Sequence, residues 1–406
     1  MLGVAKALLV ARVLAALDAE TVMAEAPVLT ATPNVGNLRT EPTLSEAVTP
    51  SAGIQSTTTQ GIRFAAQYAP RALWRQSDSA PTGADPLLLH QLNLTYRPFM
   101  RLPTTLELQL NGTIGDVDMA AQGRVFTTNQ TAPLNADLRL YSVVFTSALQ
   151  HSVGRLWFWQ LSVPLVLQGP LGSQEALSAF ALRESRSVGA IFSVGRKLNS
   201  TQSLLLSLNT QFAQFADTTS ESATMLLGWQ AQLSRTTSTS LGAGGGWVHA
   251  STSETTQPMA GGLPANSSTF FGAGNATVTR TREHGADSVI FTLDARADPF
   301  TQALRPTASL VANSSFGVSK HVTVAGNLGA STVTSLHALP SDQNETGINA
   351  ALTTTWAGQV LAFRFGLRGS LRGPNLDPDR TEPFRFRERL LAAFIGVHWG
   401  ITRQPR

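Results

Sequence analysis

Three arginines stand four residues apart in VLAFRFGLRGSLRG, residues 360–373: Arg364, Arg368 and Arg372. A guanidinium is a permanently charged fork of N–H donors, so a row of them can hold and pass carboxylates, phosphates or hydroxyl-rich solutes. Leu361, Phe363, Phe365, Leu367 and Leu371 occupy the other parity. A period of two puts the arginines on one face of a strand. The same reading of parity places Arg63, Arg97, Glu107 and Asp294 on the polar faces of other strands. Bond-making chemistry finds no such support. His90, His151, His249, His284, His321, His337 and His398 are scattered, with no H-E-x-x-H spacing, nucleophile elbow or phosphate loop. The chain has no cysteine, which removes disulfides, Cys–zinc sites and thiol catalysis. The expectation is a protein that is not an enzyme and carries no metal or cofactor. Its charged residues would set selectivity, or simply hydrate a polar wall.

What must position those charges is a set of alternating strands. Segments of period two recur from about residue 60 to 402, separated by turn residues. Examples are LLLHQLNLTYR (87–97), RLWFWQLSVPLVLQ (155–168), ATMLLGWQAQLS (223–234) and LLAAFIGVHWGIT (390–402). The pattern gives about sixteen strands by this criterion. Short links alternate with longer ones, the clearest of which are 70–86, 114–137, 169–186, 249–269 and 373–389. A half-buried sheet in water would show the same alternation with its charges facing solvent. A membrane barrel inverts it, with apolar groups toward lipid and charges toward the lumen. Composition separates the two. Charged residues make up 14% of the chain, against roughly 25% in soluble domains, and the link alternation is that of a barrel. The expected fold is all-β, a closed antiparallel up-and-down transmembrane β-barrel.

In that reading Tyr68, Tyr96, Trp157, Trp159, Trp229, Trp356 and Trp399 form aromatic belts at the membrane interfaces. The GAGGG run at 242–246 marks close strand approach or a kink, and Pro164, inside a strand, calls for a bulge. Residues 1–26 read as a signal peptide with Lys6 ahead of an apolar stretch, and 27–58 as a flexible periplasmic linker. The barrel then covers 59–402 and leaves a tail at 403–406. The net charge of +4 comes from arginine, with only Lys6, Lys197 and Lys320 as lysines, and no basic run interleaved with aromatics supports a nucleic-acid partner.

The phrases FAAQYAPRALW, LNLTYRPF, VGRKLNSTQSLLLSL and GVSKHVTVAGNLG resemble the strand, basic turn, strand hairpins of bacterial outer-membrane β-barrels of the porin-like type. The resemblance covers 60–402 and rests on pattern. It implies an outer-membrane location, a surround of outer-membrane lipid, insertion by the assembly machinery and transport of polar or anionic solutes. For some barrels of this group it also implies polysaccharide export with a periplasmic partner. It leaves the oligomeric state open. The chain departs from the group at its end: after Trp399 and Ile401 it runs on through Thr402 to Arg406, where such barrels close on an aromatic residue. The alternatives are a plugged structural or adhesion barrel and a secreted soluble β-rich adhesin.

Overall fold

A computed structural model of the chain describes residues 10–28, 39–58, 61–77, 86–99, 103–118, 137–171, 184–215, 218–252, 267–298, 303–333, 345–358, 360–374 and 388–403. They form strands β1 (Val10–Val28), β2 (Arg39–Thr58), β3 (Gly61–Ser77), β4 (Leu87–Phe99), β5 (Thr104–Asp118) and β6 (Asp137–Val153). There follow β7 (Trp157–Pro170), β8 (Ser185–Lys197), β9 (Gln202–Phe215), β10 (Thr218–Gln232), β11 (Thr237–Thr252) and β12 (Ser267–Arg282). The last six are β13 (Gly285–Asp298), β14 (Ala303–Gly317), β15 (Val322–Val333), β16 (Glu345–Ala357), β17 (Leu361–Pro374) and β18 (Glu388–Arg403). Each strand pairs antiparallel with its sequence neighbours, and β1 pairs with β18 to close the sheet. The fold is therefore the up-and-down barrel that the alternation implies, with eighteen strands in place of sixteen.

The two additional strands come from the region read as leader and linker. Val10–Val28 and Arg39–Thr58 are wall, filling the space between β18 and β3. The linker expectation is corrected on this point. Residues 1–9 of the expected leader, and 404–406 of the expected tail, lie outside the described residues. Arg403 is the last residue of β18.

In a closed antiparallel sheet, paired residues point to the same side. Following the register from Arg364 through Thr355, Thr323, Gly317 and onward returns to Gly396 and Arg364 with no change of side. One face carries the large apolar groups, and they are exposed: Leu227 at 64%, Leu352 at 52%, Leu367 at 57%, Ile395 at 56%. The other face carries Ser, Thr, Asn, Gln and charges such as Asp18, Arg97, Glu107 and Arg364, and the fully buried Val22, Val248 and Ser220 lie on it; Asp116, Arg139, Glu221 and Asp287 are outward, near strand ends. This inverts a water-soluble barrel: the outside is apolar and the inside polar. Eighteen strands about 4.8 Å apart, tilted about 40°, give a backbone diameter of roughly 35 Å, too wide for inward side chains to fill.

Glycines make room for aromatic rings on the inward face. Phe394 lies over Gly366, Phe271 over Gly246 and Phe158 over Gly195, so that a Cβ at any of the three would strike the ring. The GAGGG run is thus a place of close approach, with Asn275 and Phe271 lying in the space left at Gly242 and Gly246. A Cβ at Gly366 would also meet the Leu352 carbonyl oxygen at 2.9 Å, so the backbone blocks any simple adjustment. We expect Gly366→Val to lower stability by about 1–3 kcal/mol, the usual cost of overpacking, as measured by urea unfolding in lipid vesicles.

Pro164 does not produce the expected bulge. The β7–β8 register is the same on either side of it, from Ser162↔Ile191 to Leu165↔Val188, and two ladder pairs are absent between. The bulges fall elsewhere, at Ser56/Thr57 in the β2–β3 pairing and between Tyr96 and Phe99 in β4–β5.

Candidate lumen site

The inward face is divided. From β6 round to Thr355 on β16, its described side chains are uncharged, except for Lys197 at the turn end and Asp294 toward the other end. Alternation alone produces this wall: hydroxyls and amides fill the positions that the apolar parity leaves. Its amides are joined. Asn349 Nδ2 donates to Asn327 Oδ1 at 3.4 Å, Asn327 Nδ2 to Asn313 Oδ1 at 2.6 Å, and Asn313 Nδ2 to Ser288 Oγ at 3.2 Å. Such a chain holds donors and acceptors in fixed directions without net charge.

The rest of the circumference, β17, β18 and β1 to β5, carries the charge. Arg364 on β17 is exposed to the lumen and makes no hydrogen bond or ion pair among the described residues. Arg368, two pleat repeats further on, lies with its guanidinium 5.7 Å from the Phe394 ring centre, within range of a cation–π attraction. Arg372 stands in register with Glu388 and Gly347. Gly396 separates Arg364 from Glu20 of β1; a Cβ added there would lie 3.8 Å from Arg364 Cβ and 3.9 Å from Glu20 Cγ. His398 Nδ1 meets Asp18 Oδ1 at 2.7 Å across the closing β1–β18 pair. Beyond β2, Arg71 of β3 is on the same inward parity. Further round, Arg97 Nε is 2.6 Å from Glu107 Oε2, and Gln109 Nε2 also donates to Glu107.

The structure therefore brings Arg364, Arg368 and Arg372 onto one strand face, and pairs Arg97 with Glu107. Asp294 is apart, opposite Thr307 on the far wall. Arg63 sits where the β2–β3 register shifts and has no ladder partner there. Asp18, Glu20, Arg71 and His398 were missed by the sequence reading. His398 was available from parity, since it alternates with Val397 and Trp399. Arg71 lay in a stretch read as a link, and Asp18 and Glu20 in one read as leader. Among the described residues no group of three His, Asp or Glu could hold a metal.

All seven aromatics singled out above point outward. Tyr96, Trp157, Trp159, Trp229, Trp356 and Trp399 gather toward the short turns, and Trp356 packs on Phe363 with ring centres 5.6 Å apart. Tyr68 lies further up the wall, its hydroxyl 2.7 Å from His90 Nδ1. Trp74, Tyr141 and Trp247 stand toward the longer links. On β6 and β7 the Tyr141↔Gly169 pair is ten residues from His151↔Trp159. At about 3.3 Å per residue and a tilt of about 40°, that is roughly 25 Å, the height of an outer-membrane apolar band.

Comparison with known proteins adds likenesses of shape at low identity. OpdQ of Pseudomonas aeruginosa is 10% identical over 97% of this chain and 99% of its own, with a TM-score of 0.45. OccK7 (OpdD) of the same organism is 10% identical over 97% and 99%, at 0.46. OccAB4 of Acinetobacter baumannii is 8% identical over 96% and 98%, at 0.45. No family model and no curated protein matches the sequence.

Proposed function

We propose that the chain is an outer-membrane channel that passes small polar solutes and favours anions. The observation that carries this is the inversion of the two faces: exposed apolar groups outside, and inside a neutral hydroxyl and amide wall facing a charged sector that includes Arg364, which has no partner among the described residues. A solute with a carboxylate or phosphate and several hydroxyls would meet a complementary group on each side. Outer-membrane lipid would contact the aromatic belts, and insertion would fall to the assembly machinery.

A second reading is a barrel closed at its longer-link end. It is favoured by the burial of Val22, Leu73, Leu89, Val248 and Ser220, all inward residues toward that end. One experiment separates the two. Full-length protein inserted in a planar bilayer should give stepwise ohmic conductance with a reversal potential on the anion side. Insertion without current would replace the open channel by the closed barrel. Full solubility in water without insertion would overturn both.

A further inference from the structure

We propose that an oblique row of amides and hydroxyls on the inner wall, running from Arg368 to Lys197, is a binding track for monosaccharide acids. The track presupposes the channel reading and gives it a substrate class. The register alone draws the row. Arg368 is paired with Ala351, Ala351 with Asn327, and Asn327 with Asn313. From there the pairs pass through Ser288 and Thr279 to Ser238 and Gln232. One pleat repeat further from the short turns, Thr277, Ser240, Gln230 and Ser203 follow in the same way and end at Lys197. Because barrel strands tilt, the row descends toward the short-turn mouth. Arg368 is seven residues inside β17, Ala351 six from the short-turn end of β16, Thr279 three from that of β12, and Gln232 at the end of β10. From β17 to β8 the row crosses nine strand spacings, roughly 43 Å along the wall.

Polar groups are not spread evenly over this sector. Leu205, Ile290 and Val311 point inward immediately on the longer-link side of Ser203, Ser288 and Asn313. The row is thus a polar band with an apolar border, and a sugar ring matches both, with hydroxyls at its edge and C–H groups on its face. Two recesses lie on the band. One, of about 370 Å³, is lined by Ser288, Asn313 and Asn327, with room left by Ala286, Ala325 and Ala351. The other, of about 440 Å³, is lined by Lys197, Ser203, Gln230, Gln232 and Ser240. Both volumes fall in the range of small-molecule sites, about 300–1,000 Å³. None of the polar side chains in either recess is buried. The chain from Asn327 through Asn313 to Ser288 uses one amide donor at each step, and a carboxamide has two donors and two lone pairs. Each amide can therefore give to one ligand group and take from another, which suits a hydroxyl better than a carboxylate that only accepts. A carboxylate is met at the ends instead, by Arg368 and Lys197. Asp294 is off the track, six residues along β13 from Ser288 and so roughly 20 Å away.

The test compares two acids of equal charge and ring size, D-glucuronate and the hydroxyl-free cyclohexanecarboxylate. Full-length protein in phosphatidylcholine vesicles is titrated with each and followed by saturation-transfer NMR, with protein-free vesicles subtracted. Wild type should bind glucuronate about ten-fold more tightly, the worth of two net hydrogen bonds. Combining Q230L, S240V, N313L and N327L, which keeps both cations, should bring glucuronate to the level of the hydroxyl-free acid. Lys197→Gln, at an exposed position that tolerates exchange, should weaken glucuronate about three-fold, as for one exposed ion pair, without the same loss for glucose. Equal affinity of wild type for the two acids, or a glucuronate preference kept by the fourfold variant, would overturn the track. Binding with the expected preference but no current in a planar bilayer would remove the open channel and leave the track standing. Current without the preference would do the reverse.

Discussion

Replacing Arg364 and Arg368 together by alanine should lower the anion-to-cation permeability ratio about threefold at 0.1 M salt and about sevenfold at 0.01 M. The reasoning is Coulombic. A charge about 10 Å from the path of an ion in water is worth about 0.4 kcal/mol before screening. A Debye length of about 10 Å at 0.1 M removes most of that, and one of about 30 Å at 0.01 M removes little. Two arginines act in opposite directions on anion and cation, so their effect on the ratio counts twice. Arg364 has no partner to neutralise it among the described residues, and Arg368 faces the same lumen. Glu20→Gln should move the ratio the other way, because Glu20 lies across Gly396 from Arg364. The measurement is the reversal potential of single channels in a salt gradient. No shift in either variant, or no dependence on salt, would remove these residues from the selectivity of the pore.

The second large effect concerns the outside. Leu352→Arg should cost about 2–4 kcal/mol of stability in lipid, while Ala351→Arg, one residue away, should cost little. Leu352 is outward, exposed, and paired with Leu367. It lies four residues from Trp356, so about 10 Å inside the turn-side belt by the rise of a tilted strand. Ala351 pairs with Arg368 and Asn327 on the inward face, where water can hydrate a new charge and the like charge of Arg368 opposite adds no more than about 1 kcal/mol. Unfolding by urea in vesicles measures both. A barrel meant for water would give the opposite order, since an exposed arginine there displaces an exposed leucine at no cost. Equal effects of the two variants would mean that the parity assignment is wrong.

The architecture from β3 onward was legible because the two solvents differ. Each strand must place an apolar group toward lipid at every second residue, and LLLSLNTQF or LAFRFGLRG shows that without help from tertiary structure. Even the glycine-rich β11 kept Leu241 and Trp247 on the outward parity. The first two strands were not legible for a physical reason. β2 carries Pro42, Pro50 and the outward Glu46 opposite Trp74, which break both the propensity and the alternation that mark a strand. β1 has the apolar start and small residues of a leader. Only pairing with β18 and β3 identifies them, and pairing is not visible along one chain. The acidic part of the charged sector, Asp18 and Glu20, was lost with them. The arginine row was found because it falls within a single strand. Its relation to Glu20 and His398 was not, because those residues come from opposite ends of the sequence.

That last relation bears on how the protein assembles. The Asp18–His398 contact joins residues separated by 380 positions, in the ladder that turns a sheet into a cylinder. By loop-closure entropy alone, bringing such ends together costs about 5 kcal/mol, and no local turn offsets it. A chain lacking β18 would leave two strand edges facing hydrocarbon. The hairpins can form early and independently, with low contact order, but the wall becomes a stable object only when the first strand meets the last. Insertion should then follow all-or-none kinetics, with closure of this single seam as the slow step.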